Sequence, residues 1–196
     1  FSDALERIVL GSERRIVLSA DERRRTAYHE AGHALLGMLT PGADPVRKIS
    51  IVPRGHALGV TFQSPDADRY SYSASYLRGR IAGMLAGRAA EELIYDDVTT
   101  GAENDLEQAT GIAKQMVGRW GMSEKVGLMT VLPDPRREQP LGFGGDGTSP
   151  ATQELIKRSS AEAASVGGAI SCGAGTDQLD LAAVPSGRAG LTAVID

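Results

Sequence analysis

The sequence predicts a mainly α-helical domain that carries a small β-hairpin or sheet. Two long stretches repeat apolar or small residues at helical spacing, and a third helix opens near residue 100. Between the first two stretches, two short segments alternate apolar and polar residues as β-strands do. The length of 196 residues allows a substantial core, so one domain is the simplest arrangement.

The N-terminal segment, residues 1–18, is predicted to be a short helix or a linker. Leu5, Ile8 and Val9 lie at helical spacing, and Gly11 interrupts the pattern. The chain starts with Phe1 in what reads as the middle of a domain. We therefore expect it to be a piece of a longer protein.

The first long helix is predicted over residues 21–39. Ser19 and Glu22 stand at the spacing of a capping box, and a Thr-Pro-Gly sequence at residues 40–42 ends the helix. Its apolar stripe consists of Ala27, Ala31, Ala34, Leu35 and Met38. At about 100° per residue, the two histidines of this helix point roughly 180° away from that stripe. The histidines are therefore not expected to be simply part of the apolar packing face.

These histidines belong to an H-E-x-x-H motif formed by His29, Glu30 and His33. Two imidazoles four residues apart project from one side of a helix, which suits binding of one Zn²⁺ ion. The glutamate between them can act as a general base towards water in metal-assisted peptide hydrolysis. The alternative is that the motif is a chance match and the histidines are buried core residues. Because both histidines point away from the apolar stripe, this alternative is less favoured. Gly32 is a poor helix former and is expected to let another backbone approach closely.

Residues 48–52 and 58–63 are predicted to form two strands, joined by a turn at residues 53–56. The third histidine, His56, lies in this turn. Turn residues are usually exposed, so His56 is a weak candidate for a metal ligand. An exposed strand edge beside a metal could bind an extended polypeptide through its backbone, and that role needs no particular side chain.

The second long helix is predicted over residues 74–95. One face carries larger apolar residues and another only glycine and alanine, so we expect close helix packing. Its three arginines are incompatible with a membrane-spanning segment. Arg88, Glu91 and Glu92 stand at helical spacing, and an ion-pair cluster would explain both glutamates without metal chemistry.

A catalytic zinc site of this kind takes three protein ligands and leaves one position for water. A third helix opens over residues 98–106, where Thr100 and Glu103 suggest a second capping box. Asp105 lies about 60° from the centre of its apolar stripe, at the edge of the interior. A carboxylate there is costly unless it is paired or binds a metal. Spacing alone leaves Asp105 and Glu91 open as third ligand, with a buried hydrogen-bonded aspartate as the non-metal alternative.

Composition and charge exclude several function classes. The net charge of -4 and the pI near 5.5 give no electrostatic footprint for nucleic acid. The single cysteine, Cys172, excludes an intramolecular disulfide and fits a reducing compartment. No uninterrupted apolar run approaches the ~20 residues that cross a bilayer, so we expect this stretch of chain to be soluble.

Four phrases in combination resemble the peptidase domain of the FtsH family of membrane-anchored, ATP-dependent zinc metalloproteases. They are HEAGH at 29–33, residues 51–62, GRAAEE at 87–92 and TGAENDL at 100–106. The resemblance covers roughly residues 1–156. It implies a mostly helical zinc metallopeptidase domain, which we assign to residues 19–156.

The resemblance also implies the site. In it, His29, His33 and Asp105 bind one Zn²⁺ ion per chain and Glu30 is the catalytic glutamate, which places Asp105 well above Glu91. It implies hydrolysis of unfolded or membrane-extracted polypeptides in protein quality control. It further implies a homohexameric ring that is fed by an ATPase ring.

Two features of such proteins are missing from this sequence: a G-x-x-x-x-G-K-[ST] phosphate loop and a transmembrane helix. We therefore expect ATP binding and membrane attachment to come only from an upstream module of the full-length protein. The resemblance places that protein at the bacterial cell membrane, with the peptidase on the cytoplasmic side.

The last forty residues, 157–196, depart from the resemblance. They are rich in Gly, Ala and Ser without a sustained helical period, which predicts a divergent and poorly ordered tail. The leading function from sequence is a zinc endopeptidase domain. The alternative is a non-catalytic module that keeps a structural zinc and mediates ring assembly.

Overall fold

The computed structural model describes residues 12–14, 16–54, 57–132, 149–172 and 192–194. In these residues the helices are α1 (Ala20–Leu39), α2 (Ala74–Tyr95), α3 (Glu103–Gly118) and α4 (Pro150–Cys172). The strands are β1 (Val46–Ser50), β2 (Val60–Gln63) and β3 (Thr192–Val194), and a 3₁₀ turn, Thr100–Ala102, precedes α3. The prediction of a mainly helical fold with a small sheet is confirmed.

Of the two predicted capping boxes, the one at the start of α1 is present and the one at the start of α3 is not. The Glu22 backbone N–H donates to Ser19 Oγ, and the Ser19 backbone N–H donates to the Glu22 carboxylate, as in the predicted capping box. The second box is wrong, because Ala102 precedes α3 and makes no side-chain cap. Thr99 instead caps the 3₁₀ turn by accepting a hydrogen bond from the Gly101 N–H at 3.2 Å.

The sheet has the order β2-β1-β3, so β1 is its central strand. β1 pairs antiparallel with β2 and parallel with β3. The β1–β2 pair is the predicted hairpin. β1 begins and ends two residues before the predicted strand, and β2 begins two residues after the predicted start. His56, in the connecting turn, lies outside the described residues, as do residues 1–11 of the predicted N-terminal helix or linker.

Helix α4 corrects the prediction of a poorly ordered tail that begins at residue 157. Residues 157–172 are helical and continue the helix that starts at Pro150. α4 packs against α2 and α3, and it buries Ile156, Ser159 and Ser160. Packing of one helix face against neighbours outweighs a weak local propensity, which is why composition failed here. Residues 173–191 lie outside the described part of the chain.

The main core lies between α2 and α3. Its buried residues are Leu77, Ile81, Ala109, Ala113 and Met116. This core fixes the start of α3 relative to α2, and both helices contribute to the site described below. None of the described helices is long and apolar enough to cross a membrane.

Replacing Ile81 by alanine is expected to lower the free energy of unfolding by about 2–5 kcal/mol. The Ile81 side chain is 0% exposed, so the change leaves a cavity between α2 and α3. Ile81→Val removes one methyl group and should cost only about 0.5–1.5 kcal/mol. Urea unfolding followed by circular dichroism measures both. An alanine variant as stable as the parent would contradict this core assignment.

Candidate active site

The H-E-x-x-H motif is packed within the fold, with His29 and Glu30 buried and His33 partly buried. His29 is 9% exposed and Glu30 is 7% exposed, whereas Ala34 is the one buried member of the predicted apolar stripe. The histidines face neighbouring elements through polar contacts, so the alanine stripe marks only part of the packed surface of α1. α1 packs against both α2 and the β1–β2 hairpin, and these elements cover the motif. A stripe of alanines defined the packing face poorly because alanine buries little apolar area.

Three side chains from two helices converge beside α2. The Nε2 atoms of His29 and His33 are 3.0 Å apart. Asp105 Oδ2, from the first turn of α3, lies 3.3 Å from each of these nitrogens. All three potential ligand atoms lie within 4.8 Å of one another. The structure thus brings the three predicted ligands together.

The outer nitrogens of both imidazoles are held by α2. His29 Nδ1 lies 2.7 Å from Glu91 Oε1, and His33 Nδ1 lies 2.7 Å from the backbone carbonyl oxygen of Gly83. An Nδ1–H that donates to such an acceptor fixes the ring and leaves the Nε2 lone pair available to a metal. Glu91 therefore lies on the outer side of His29, away from the Nε2 atoms, while Asp105 lies among them.

Glu91 has a different cationic partner from the one predicted. Its Oε2 accepts a hydrogen bond from Thr99 Oγ1 at 2.9 Å and lies 3.4 Å from Arg25 Nη1. The predicted ion pair with Arg88 on the same helix is wrong, because Glu91 points towards α1. The Arg25 guanidinium also lies 4.3 Å from the centre of the Tyr95 ring. Glu91 is thus fixed at both oxygens.

Close approach of α2 to α1 depends on two glycines. A Cβ at Gly32 would lie 2.5 Å from the Ala86 carbonyl oxygen, so the prediction that Gly32 admits another backbone is confirmed. A Cβ at Gly87 would lie 2.5 Å from the Nε2 atoms of both His29 and His33. The α2 backbone therefore forms one wall of the cluster, and any side chain at position 87 would enter it.

The carboxylate of Glu30 is held by β2. Thr61 Oγ1 lies 2.7 Å from Glu30 Oε2 and 3.0 Å from the Glu30 backbone carbonyl oxygen. A Cβ at Gly59 would lie 2.7 Å from Glu30 Oε1. The β1–β2 hairpin thus covers the glutamate that α1 presents.

The charges in the site are set by opposing effects. Burial lowers the pKa of both histidines, but hydrogen bonds to Asp105 and to the α2 acceptors outweigh it, so both pKa values are raised. Burial would raise the pKa of Asp105, but hydrogen bonds from His29 and His33 lower it to about 2. Burial raises the pKa of Glu30, although the hydrogen bond from Thr61 acts in the opposite direction.

The directions of the pKa shifts distinguish the carboxylate of Asp105 from that of Glu30. Asp105 is ionised throughout the neutral pH range. Its position in the first turn of α3 also gives its negative charge a favourable interaction with the helix dipole. Glu30 has the raised pKa that suits a group which takes and returns a proton near neutral pH. Two imidazoles and one carboxylate also form a donor set that Zn²⁺ accepts in catalytic sites. The residues present therefore fit such an ion.

Sequence reasoning missed several residues that position the site: Arg25, Thr61, Gly83, Gly87 and Thr99. Gly87 belongs to the small-residue face of α2 that the sequence did show, but nothing local linked that face to the histidines. Thr61 lies in a predicted strand whose expected role depends only on its backbone. The Gly59-x-Thr61 pattern, a glycine and a hydroxyl on one side of a strand, is the signal that was available.

Comparison with known proteins shows the family of the chain. Residues 16–174 match peptidase family M41. The chain is 61% identical over 155 residues to the ATP-dependent zinc metalloprotease FtsH 3 of Conexibacter woesei, an alignment that covers 79% of this chain and 21% of the relative. It is 62% identical over 138 residues to an FtsH of Thermobaculum terrenum, covering 70% of this chain and 21% of the relative.

A third relative, an FtsH of Syntrophus aciditrophicus, is 54% identical over 169 residues, which cover 83% of this chain and 23% of that protein. The chain therefore spans about a fifth of the length of these relatives. The family match continues to residue 174, so the resemblance does not stop at residue 156 as predicted. The match and the identities show that the chain belongs to peptidase family M41.

Proposed function

We propose that this chain is a zinc-dependent endopeptidase domain in which His29, His33 and Asp105 hold the metal and Glu30 is the general base. The observation that carries the proposal is the convergence of two Nε2 atoms and one carboxylate oxygen within 4.8 Å, next to a buried glutamate. The names of the relatives, all zinc metalloproteases, support zinc as the ion.

The residues around the cluster prepare it for binding. Glu91 and the Gly83 carbonyl hold the Nδ1 atoms, so both Nε2 atoms face the ionised Asp105. When bound there, Zn²⁺ supplies a Lewis acid that polarises the peptide carbonyl and makes water more acidic. Burial under the hairpin and α2 lowers the effective dielectric constant around Glu30 and strengthens its electrostatic interactions.

Glu30 moves the proton of the reaction. Its carboxylate takes a proton from water as the water oxygen bonds to the peptide carbonyl carbon. It then gives the proton to the amine nitrogen as the carbon–nitrogen bond breaks, which regenerates the carboxylate. The pKa of Glu30, raised by burial, makes the ionised form a stronger base than an exposed glutamate.

An unfolded polypeptide is the substrate class that the hairpin favours. β2 is an outer strand of the described sheet, and its Thr61 contacts Glu30. An extended chain that adds to this edge would run past the general base and be held by backbone hydrogen bonds, with little dependence on side chains.

The remaining parts of the activity belong to the whole protein. We infer that residues 1–18 link this domain to an upstream ATPase module that binds ATP and delivers the substrate. We further infer a homohexamer and attachment to the cytoplasmic side of the bacterial membrane through segments outside this chain. The support is the family membership and the ATP-dependence stated in the relatives' names.

Metal analysis combined with degradation of casein, an unfolded substrate, tests the proposal. The zinc-loaded chain should contain one equivalent of zinc and cleave casein, and a chelator should stop cleavage until zinc is restored. Zinc binding without cleavage, even in the full-length protein with ATP, would favour the alternative of a non-catalytic ring-assembly module. Cobalt spectra that show four protein ligands and no exchangeable water would favour it as well.

A matched pair of variants tests the assignment of Asp105 as the third ligand. Asp105→Asn is expected to weaken zinc binding more than Glu91→Gln, because Asp105 lies among the Nε2 atoms while Glu91 contacts the outer nitrogen of His29. Loss of such an outer partner typically costs about 10–100-fold in affinity. Competition with a chelating dye measures both variants. If Glu91→Gln loses zinc and Asp105→Asn keeps it, the assignment is wrong.

A further inference from the structure

We propose that Thr61 is a positioning residue for Glu30 and that it leaves one carboxylate oxygen, Oε1, to carry the proton. The inference rests on the proposed function, because it assigns Glu30 as the general base. The two observations that support it do not involve the proposed metal ligands. A hydroxyl donates a hydrogen bond to one oxygen of Glu30, and a glycine lies beside the other.

The Thr61 hydroxyl reaches Glu30 twice. Oγ1 lies 2.7 Å from Oε2 and 3.0 Å from the Glu30 backbone carbonyl oxygen, and both are acceptors. A hydroxyl has one hydrogen, so the shorter contact to the charged oxygen takes it. The backbone of Thr61 pairs with Ile49 of β1, and its branched side chain has few rotamers. The donor is therefore fixed by the sheet.

The other oxygen of Glu30 lies beside a residue without a side chain. A Cβ at Gly59 would come within 2.7 Å of both Cγ and Oε1 of Glu30. Gly59 and Thr61 thus present different features to the two oxygens: a closely packed backbone without a side chain beside Oε1, and a hydrogen-bond donor at Oε2. This arrangement distinguishes two oxygens that are chemically equivalent in a free carboxylate.

The asymmetry persists through the proton cycle. When Oε1 takes a proton from water, Oε2 becomes the carbonyl oxygen of the acid and still accepts the hydrogen bond from Thr61. The proton on Oε1 then passes to the leaving amine nitrogen, and the starting carboxylate returns. Without the hydroxyl, rotation about the last torsion of Glu30 is broad, and Oε1 spends less time in the productive orientation.

Kinetics of zinc-loaded variants on an unstructured, fluorescence-quenched peptide test the positioning role. Thr61→Val keeps the shape but removes the donor, and kcat should fall on the order of 10–100-fold while KM stays within about twofold. Zinc stoichiometry should not change. Thr61→Ser retains the hydroxyl and should recover most of kcat. Thr130→Val is the matched control, because the exposed Thr130 donates to the Arg119 carbonyl instead.

A second readout needs neither zinc nor catalysis. Urea unfolding of the metal-free chain is measured for Thr61→Val, Glu30→Ala and the double variant. If Thr61 bonds to Glu30, the double variant should lose less stability than the sum of the two single losses. Additive losses, an unchanged kcat in Thr61→Val, or no recovery by Thr61→Ser would each overturn the inference. If the parent chain binds zinc but cleaves nothing, the proposed function fails, while the unfolding cycle still decides whether Thr61 holds Glu30.

Discussion

Replacing Glu30 by glutamine should leave zinc bound and reduce casein cleavage by at least about 10²–10⁴-fold, the range of general acid–base catalysis. Glutamine has nearly the same shape and can still accept the hydrogen bond from Thr61, but its amide cannot take a proton near neutral pH. The proposed ligand atoms belong to other residues, so the metal should remain. Zinc analysis and proteolysis of the same sample measure both properties.

Glu107→Gln is the control for this change. Glu107 is exposed on α3, and it is not one of the residues that form the cluster. The control should therefore retain both zinc and proteolysis. Cleavage by Glu30→Gln at the rate of this control would contradict the assigned role of Glu30, and loss of zinc from Glu30→Gln would show that the glutamate also supports the metal site.

Replacing Gly87 by alanine is expected to remove most of the zinc and, with it, the peptidase activity. The added Cβ would lie 2.5 Å from the Nε2 atoms of both His29 and His33, the two nitrogens that we assign to the metal. The Nδ1 atoms of both imidazole rings are held by hydrogen bonds, so the rings cannot move freely away from the added Cβ. We expect the zinc affinity to fall by more than the roughly 10–100-fold caused by loss of an outer-shell contact.

Gly83→Ala, one turn earlier on α2, is the matched control. A Cβ there would meet nothing within 4 Å, and the carbonyl that holds His33 is unchanged. Alanine favours a helix by about 1 kcal/mol over glycine, so neither substitution should weaken α2 intrinsically. Equal zinc affinity in Gly87→Ala and Gly83→Ala would contradict the described approach of α2 to the cluster.

Local signals in the sequence predicted α1 and the motif that it carries. The capping box of Ser19 and Glu22 and the spacing of the histidines involve residues within one or two turns, where the chain alone fixes the geometry. The contacts that orient the site join distant residues. His29 and Glu91 are 62 positions apart, and Glu30 and Thr61 are 31 apart. No local pattern specifies which strand or helix a side chain will meet.

The errors have a common physical cause. Sequence periodicity placed the packing face of α1 on its alanines, because it could not include burial of a polar motif under α2 and the hairpin. Composition predicted no helix after residue 157, yet α4 continues to Cys172 against α2 and α3. The parallel pairing of β3 with β1 is also a long-range contact. In each case tertiary contacts outweighed a local preference.

The meeting of α1 and α3 at His29 and Asp105 also closes a long loop of chain. These residues are 76 positions apart in the sequence, and their Nε2 and Oδ2 atoms lie 3.3 Å from each other. An ion held by both would act as a removable cross-link in a chain that has a single cysteine. The chain-entropy estimate for a permanent link of that length is roughly 4.5 kcal/mol, obtained by restricting the unfolded ensemble. Metal occupancy would then set how tightly the domain resists unfolding, and a peptidase that had lost its ion would itself become easier to unfold and degrade.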